Sequence, residues 1–235
     1  MATKRRGIMT QLEERALQIC RLFEGLSEQE RQRILRCLGA EKAQLRKGEI
    51  IWHMGDRVER CAVVLSGSVR AESVSASGTR SLVAWHQPGA LVGDVLMVTP
   101  GSRSPVYVLA AEPATVLFIP YRGIMGGCPE CCAAHMRLRE NLMGEIAQKY
   151  WEQRRRVRYL SEGSLRRRIA MYLRDSSGGE RTFSLGGTRE DLAAFLCVNR
   201  SALCRELGRM KREGLIDFYR DTFRILQQEK LDKLT

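Results

Sequence analysis

One stretch near the end of the chain constrains its fold more than any other: T188-R-E-D-L-A-A-F-L-C-V-N-R-S-A-L-C-R-E-L-G-R-M-K-R-E-G214. It reads as two short helices separated by a three-residue break. Thr188 is placed to cap the first, with Asp191 three residues on completing a box-like arrangement at the orphan amides. Leu192, Phe195 and Leu196 give that helix one apolar face. Cys197, Val198 and Asn199 form the turn, and Asn199 or Ser201 caps the second helix. In that helix Leu203, Leu207 and Met210 share one face, and Arg200, Ser201, Cys204 and Arg205 share another. Gly214 stands where a glycine stops a helix. A helix that buries one side and offers Arg and Ser from its first turns meets the needs of a major-groove reader, because Arg can form two parallel hydrogen bonds to a guanine edge. The alternative is a helical hairpin with a solvated basic face.

The charge balance bears on that choice. The 235 residues hold 39 Lys and Arg against 27 Asp and Glu, a net charge of +12. Residues 137–235 carry 22 basic and 14 acidic side chains, so most of the excess lies where the two helices lie. A polyanionic partner is favoured, double-stranded DNA or an anionic surface. No apolar run approaches the ~20 residues that span a bilayer, and no apolar core follows the basic N-terminus as a secretory signal requires. A cytoplasmic setting with no membrane is expected, in which the eight cysteines stay mostly reduced.

Upstream the texture changes twice. Residues 10–38 suggest two short helices broken near Gly25-Leu26-Ser27, with Ser27 and Glu30 forming a second capping box. From about 40 to 120, short Val, Ile and Leu runs recur between glycines (E49-I-I-W-H, A62-V-V-L-S, S68-V-R-A-E-S-V, S81-L-V-A-W, T115-V-L-F-I), the mark of an all-β sandwich or barrel. Pro120 to Pro129 reads as a glycine-containing connection. A long helix then spans about 130 to 160. Met136, Met143, Ile146, Tyr150, Val157 and Leu160 follow three/four spacing along it, with Gln153 a polar break. That stripe fits a dimerisation helix, or else a helix packed on its own domain. Another helix runs from Leu165 to Leu173, before Ser176-Ser-Gly-Gly. After Gly214, two alternating segments flank Arg220-Asp221 as a β-hairpin, the wing of a winged helix-turn-helix.

This order resembles the Crp/Fnr family of bacterial transcription regulators. The residues that carry the likeness are L65-S-G-S-V69, Q87-P-G-A-L-V-G-D94, the R103-S104 pair, T188-R-E-D-L-A and V198-N-R-S-A-L-C-R205, and it covers about residues 15–228. The resemblance implies an α+β chain with a cyclic-nucleotide-binding-like β-roll (jelly roll), a long dimerisation helix and a C-terminal winged helix-turn-helix. The expected divisions are N-terminal helices at 1–39, an effector-sensing β-roll at 40–128, the dimerisation helix at 129–161 and the DNA-binding domain at 162–235. It further implies a homodimer that reads a palindromic operator, with RNA polymerase as a partner. Arg200, Ser201 and Arg205 match the family's reading positions, Cys204 lies on the same face, and Thr188 and Arg189 match phosphate contacts. Ser201 replaces a glutamate common there. A carboxylate accepts from cytosine N4 whereas Ser is permissive, so the preferred half-site is expected to differ at that base pair.

The effector is less legible. Gly93-Asp94 and Arg103-Ser104 stand where cyclic-nucleotide-binding relatives hold ribose and phosphate, but the acid is one methylene shorter than the usual Glu and Pro105 follows the Ser. Gln153 and Arg154 fall where relatives read adenine with Thr or Ser. A cyclic nucleotide, a different small molecule, and a vestigial pocket with Asp94 and Arg103 as an ion pair all remain open. Cys128, Cys131, Cys132 and His135 form a cluster ahead of the long helix. It suits a zinc or iron–sulfur site, a redox-reactive thiol group, or simply small buried hydrophobes. Haem is a further option, with His53, His86 and His135 the only imidazoles. An enzyme is not expected: there is no phosphate-binding loop, no nucleophile elbow, and no βαβ setting around the Cys-Pro-Glu-Cys segment.

Overall fold

In the computed structural model, residues 3–4, 9–75, 78, 80–99, 101–126, 132–185 and 188–234 are described. The chain divides into two compact units, Met1–Gln148 and Lys149–Thr235, and the division falls inside the long helix. Each unit has its own apolar core.

In the first unit a two-residue strand β1 (Thr3–Lys4) precedes helices α1 (Gln11–Ile19) and α2 (Glu28–Cys37). Both helices begin in capping boxes, Thr10 with Glu13 and Ser27 with Glu30. The chain then forms β2 (Glu41–Leu45), β3 (Ile50–Trp52), β4 (Arg60–Ser66), β5 (Val69–Val74), β6 (Arg80–His86), β7 (Leu91–Val92), a short helix α3 (Asp94–Val98), β8 (Tyr107–Ala110) and β9 (Ala114–Pro120). Two antiparallel sheets result, ordered β1-β2-β9-β4-β7 and β3-β8-β5-β6. The central pair β4–β9 is in register at Val63 with Leu117 and is buried along nearly its whole length. This explains why those two strands read as continuous apolar runs rather than as alternating ones.

Strand β2 carries no comparable signal, and β7 has only two residues; β8 is apolar throughout but only four residues long. In β2 only Ala43 and Leu45 are buried, among Glu41, Lys42 and Gln44. Its place is set by pairing with β9. Gly67, at the β4–β5 turn, has φ +69°, and a Cβ there would lie 2.3 Å from the Pro113 carbonyl oxygen, so no larger residue fits. The segment after Pro120 is not a plain connection, because Tyr121–Met125 folds as helix α4 and buries Ile124.

Helix α5 (Ala133–Leu160) is 28 residues long, about 42 Å at 1.5 Å per residue. Ala134, Leu138 and Leu142 bury into the first unit's core. Met136, Met143, Tyr150 and Val157, spaced by seven, point elsewhere and are 57–72% exposed in the single chain. Ile146, grouped with them by spacing, packs half-buried against the first unit's core.

In the second unit α6 (Leu165–Ser177) ends at Gly178, and β10 (Thr182–Ser184) comes after it. Helices α7 (Arg189–Phe195) and α8 (Arg200–Arg212) are next, then strands β11 (Ile216–Tyr219) and β12 (Thr222–Ile225), and a last turn α9 (Gln228–Asp232). The hairpin read from the sequence gains a third strand, giving the order β10-β12-β11. Among the described residues no helix is long and apolar enough to cross a membrane.

Candidate nucleic-acid interface and effector pocket

The two-helix unit is built by its caps and its buried face. The Thr188 hydroxyl accepts from the Asp191 amide at 3.1 Å while the Asp191 carboxylate accepts from the Thr188 amide at 2.8 Å. The Thr188 hydroxyl also donates to that carboxylate at 2.7 Å, and with the amide it holds the Asp191 carboxyl below its ordinary pKa. The Asn199 side chain caps α8 by accepting from the Ala202 amide at 2.7 Å, and Ser201 donates to the same oxygen at 2.8 Å. Of the two candidates for that cap, Asn199 is the one used. Leu203, Leu207 and Met210 are fully buried, whereas Arg200, Ser201, Cys204 and Arg205 are exposed. One surface of α8 is therefore spent on the core and the other presents two guanidinium groups, a hydroxyl and a thiol.

Two arginines that carry no sequence signal hold the turn between these helices. From α5, Arg156 donates to the carbonyls of Phe195 (3.1 Å) and Ala194 (3.4 Å) and stacks over the Phe195 ring at 5.4 Å. From α6, Arg168 donates to the Leu196 carbonyl at 3.4 Å and to that of Glu162 at 2.6 Å. The carbonyls of residues 194–196 lie at the C-terminal end of α7, where cations are favoured. Their donors lie 28 to 39 residues away in sequence, so no local pattern marks them. A third arginine, Arg166, donates to Glu206 at 2.6 Å and to both carboxylate oxygens of Glu213, bracing α8 from α6. The pairing raises the Arg166 pKa and lowers that of Glu213.

Cys197 sits in the turn at φ +53°, a left-handed conformation that suits glycine. A non-glycine residue there costs about 1–3 kcal/mol, offset by the ~0.5–1 kcal/mol of extra chain entropy a glycine loses on folding. Cys197→Gly is expected to stabilise the second unit by about 1 kcal/mol, read as a higher midpoint in urea. A lower midpoint would mean that the Arg156 Nη2 contact to the Cys197 sulfur, 3.7 Å, outweighs the strain.

Arg189, matched by the resemblance to a phosphate contact, is also engaged within its own unit. Its guanidinium lies over the rings of Phe218 (4.9 Å) and Phe223 (4.4 Å) and donates to the Arg220 carbonyl at 2.8 Å. Burial lowers its pKa. It is a strut between α7 and the β11–β12 hairpin.

Each candidate effector residue is held by its own segment of the β domain. Asp94 is 3% exposed, the first residue of α3 behind Gly93, which takes φ +79°. A Cβ on Gly93 would lie 2.9 Å from the Trp52 ring, so this glycine serves close packing. Arg103 is exposed and donates to the Gly55 carbonyl at 2.7 Å rather than pairing with Asp94. Ser104 is buried, its hydroxyl donating to the Val106 carbonyl and its amide to the Asp56 carbonyl. The Arg103-Ser104 pair is thus tied to the 53–57 turn.

Of the cysteine cluster, Cys128 and Cys131 lie outside the described residues. The Cys132 sulfur is 3.1 Å from Nδ1 of His135, whose side chain is buried. Among the described residues no group of three or more His, Cys, Asp or Glu is disposed to hold a metal ion.

Comparison with known proteins joins the two units. Residues 42–126 match the cyclic nucleotide-binding domain and residues 167–234 the Crp-like helix-turn-helix domain. The chain belongs to the Crp/Fnr family of transcription regulators. It is 25% identical over 186 residues to the regulatory protein HlyX of Actinobacillus pleuropneumoniae, covering 74% of this chain and 73% of that one. It is 28% identical over 189 residues to the transcriptional activator protein FnrA of Stutzerimonas stutzeri, covering 77% and 75%. The crystal structure of the Thermus thermophilus catabolite activator protein shares the fold at a TM-score of 0.53, with 23% identity over 91% of this chain and 97% of that one. As in other Crp/Fnr regulators, an effector-type β domain and a DNA-binding helix-turn-helix lie on one chain.

Proposed function

We propose that this Crp/Fnr regulator acts as a homodimer, reading a palindromic operator with paired α8 helices. The observation that carries the reading is the division of α8. Its Leu203, Leu207 and Met210 face is fully buried, and its Arg200, Ser201, Cys204 and Arg205 face is open to solvent. The residues assigned to base edges are Arg200, Ser201 and Arg205, with Cys204 small enough to permit close approach. Thr188 and Arg189 meet phosphates, and Arg189 also fixes the wing against α7. Residues 129–161 form the dimerisation segment, with Met136, Met143, Tyr150 and Val157 as its seam, and residues 162–235 the DNA-binding segment. Two-fold symmetry then requires half-sites about one helical turn apart. RNA polymerase is the partner at promoters, and the setting is the cytoplasm.

Residues 40–128 sense the effector. The burial of Asp94 and the engagement of Arg103 with Gly55 favour a ligand other than a cyclic nucleotide gripped by those two side chains.

Arg205→Ala tests the assignment of α8. Losing one bidentate base contact is expected to weaken operator binding by ~1–3 kcal/mol and to relax preference at one base pair of each half-site. Affinity for random DNA should change far less. Unchanged operator affinity in a gel-shift at fixed salt would remove Arg205 from the reading face.

A further inference from the structure

The candidate base readers differ in one respect that the family assignment does not cover. Arg200, the first residue of α8, is met by Glu190 from the first turn of α7, with Nε of the guanidinium 2.7 Å from Oε1 of the carboxylate. Both side chains are more than 60% exposed, and an ion pair so open to water contributes little to stability. Its geometry is informative instead. A guanidinium can meet O6 and N7 of guanine end-on, through its two Nη groups, or side-on, through Nε and one Nη. A carboxylate on Nε occupies the edge that end-on recognition leaves unused, and it restrains a side chain that otherwise samples many rotamers. The negative charge also disfavours a stray contact of Arg200 with a DNA phosphate, by bringing a second anion close to it.

We propose that Glu190 is a positioning residue for base recognition: it orients Arg200 for end-on contact with a guanine and sets specificity at that base pair. This rests on the assignment of α8 as the reading helix and extends it to a residue on the neighbouring helix that touches no base. Glu190 adds selectivity at the expense of total affinity, because it places an acid beside the DNA backbone.

The test uses the full-length protein, a random-sequence duplex pool, and sequencing of the bound fraction for wild type, Arg200→Ala, Glu190→Ala and Glu190→Gln. Arg200→Ala identifies the base pair that Arg200 reads. Glu190→Ala is expected to lower preference at that same base pair by about three- to tenfold, a part of the ~5–150-fold that a whole bidentate contact carries. It should leave the other positions unchanged and raise affinity for random DNA. Glu190→Gln, whose amide oxygen still accepts from Nε, should retain most of the preference while sharing the rise in affinity. Intact preference in Glu190→Ala overturns the proposal, and so does an even loss across all positions, which would mark a merely structural role. If Arg200→Ala alters no base pair, the assignment of Arg200 as a reader falls, and this inference falls with it.

Discussion

Met143→Asp combined with Tyr150→Asp is expected to yield a folded monomer that no longer holds its operator at nanomolar concentration. The two side chains are 72% and 57% exposed in the single chain, so neither substitution costs the chain its own core. With Met136 and Val157 they form a line of apolar residues at intervals of seven along α5, the spacing that keeps one seam facing a partner helix. On a monomer, that line is apolar surface in water. In a dimer, the two aspartates would face their own copies across the axis, where like charges in a partly desolvated seam repel. Loss of the second half-site removes the effective concentration that bivalent binding supplies, a factor of about 10²–10⁴ in affinity. Sedimentation equilibrium and a gel-shift on the same preparation measure both effects. A variant that stays dimeric would place the interface elsewhere. One that becomes monomeric but binds as tightly as wild type would remove the need for pairing.

The second large effect is expected from Leu207→Ala. Helix α8 has 13 residues, near the length at which an isolated helix is marginal in water, so it depends on its buried face. Leu207 is 0% exposed within the core formed with Ile169, Leu173, Leu192, Leu196 and Ile216. Removing its isobutyl group forfeits transfer free energy and leaves a cavity, together about 2–5 kcal/mol. Because the two cores share no residue, the loss should be confined to the second unit. Hydrogen exchange resolved by segment is the measurement. Protection should fall across α6 to α8 and β11–β12, with β4 and β9 unchanged. Equal loss in both units would show that they unfold together.

Much of the fold is legible because its signals are local. A capping box spans four residues, so Thr188 with Asp191 and Ser27 with Glu30 can be read directly, and both form. The apolar runs of β4 and β9 likewise announce strands buried on both faces. Strand β2 escapes such a reading because charged and polar residues make up the rest of it, and its β9 partners lie 69 to 77 residues away. Helix α4 escapes it because two of the glycines that suggest a connection, Gly123 and Gly126, lie within and at the end of a single helical turn.

The same division runs through the candidate sites. Spacing places Arg200, Ser201, Cys204 and Arg205 on one face of one helix, because helical periodicity alone decides that. Position cannot say what a side chain does once a neighbour from another element arrives. Arg189 looks free in the sequence, yet two phenylalanine rings and the Arg220 carbonyl hold it. Arg103 looks like an anion ligand, yet it is tied to Gly55, 48 residues earlier. Arg156, Arg166 and Arg168 look like any other arginines until the fold brings carbonyls and carboxylates to them. Secondary structure and its faces follow from periodicity and caps within a few residues. Where the partner of a long charged side chain lies on another element, three-dimensional packing chooses it and local spacing does not mark it.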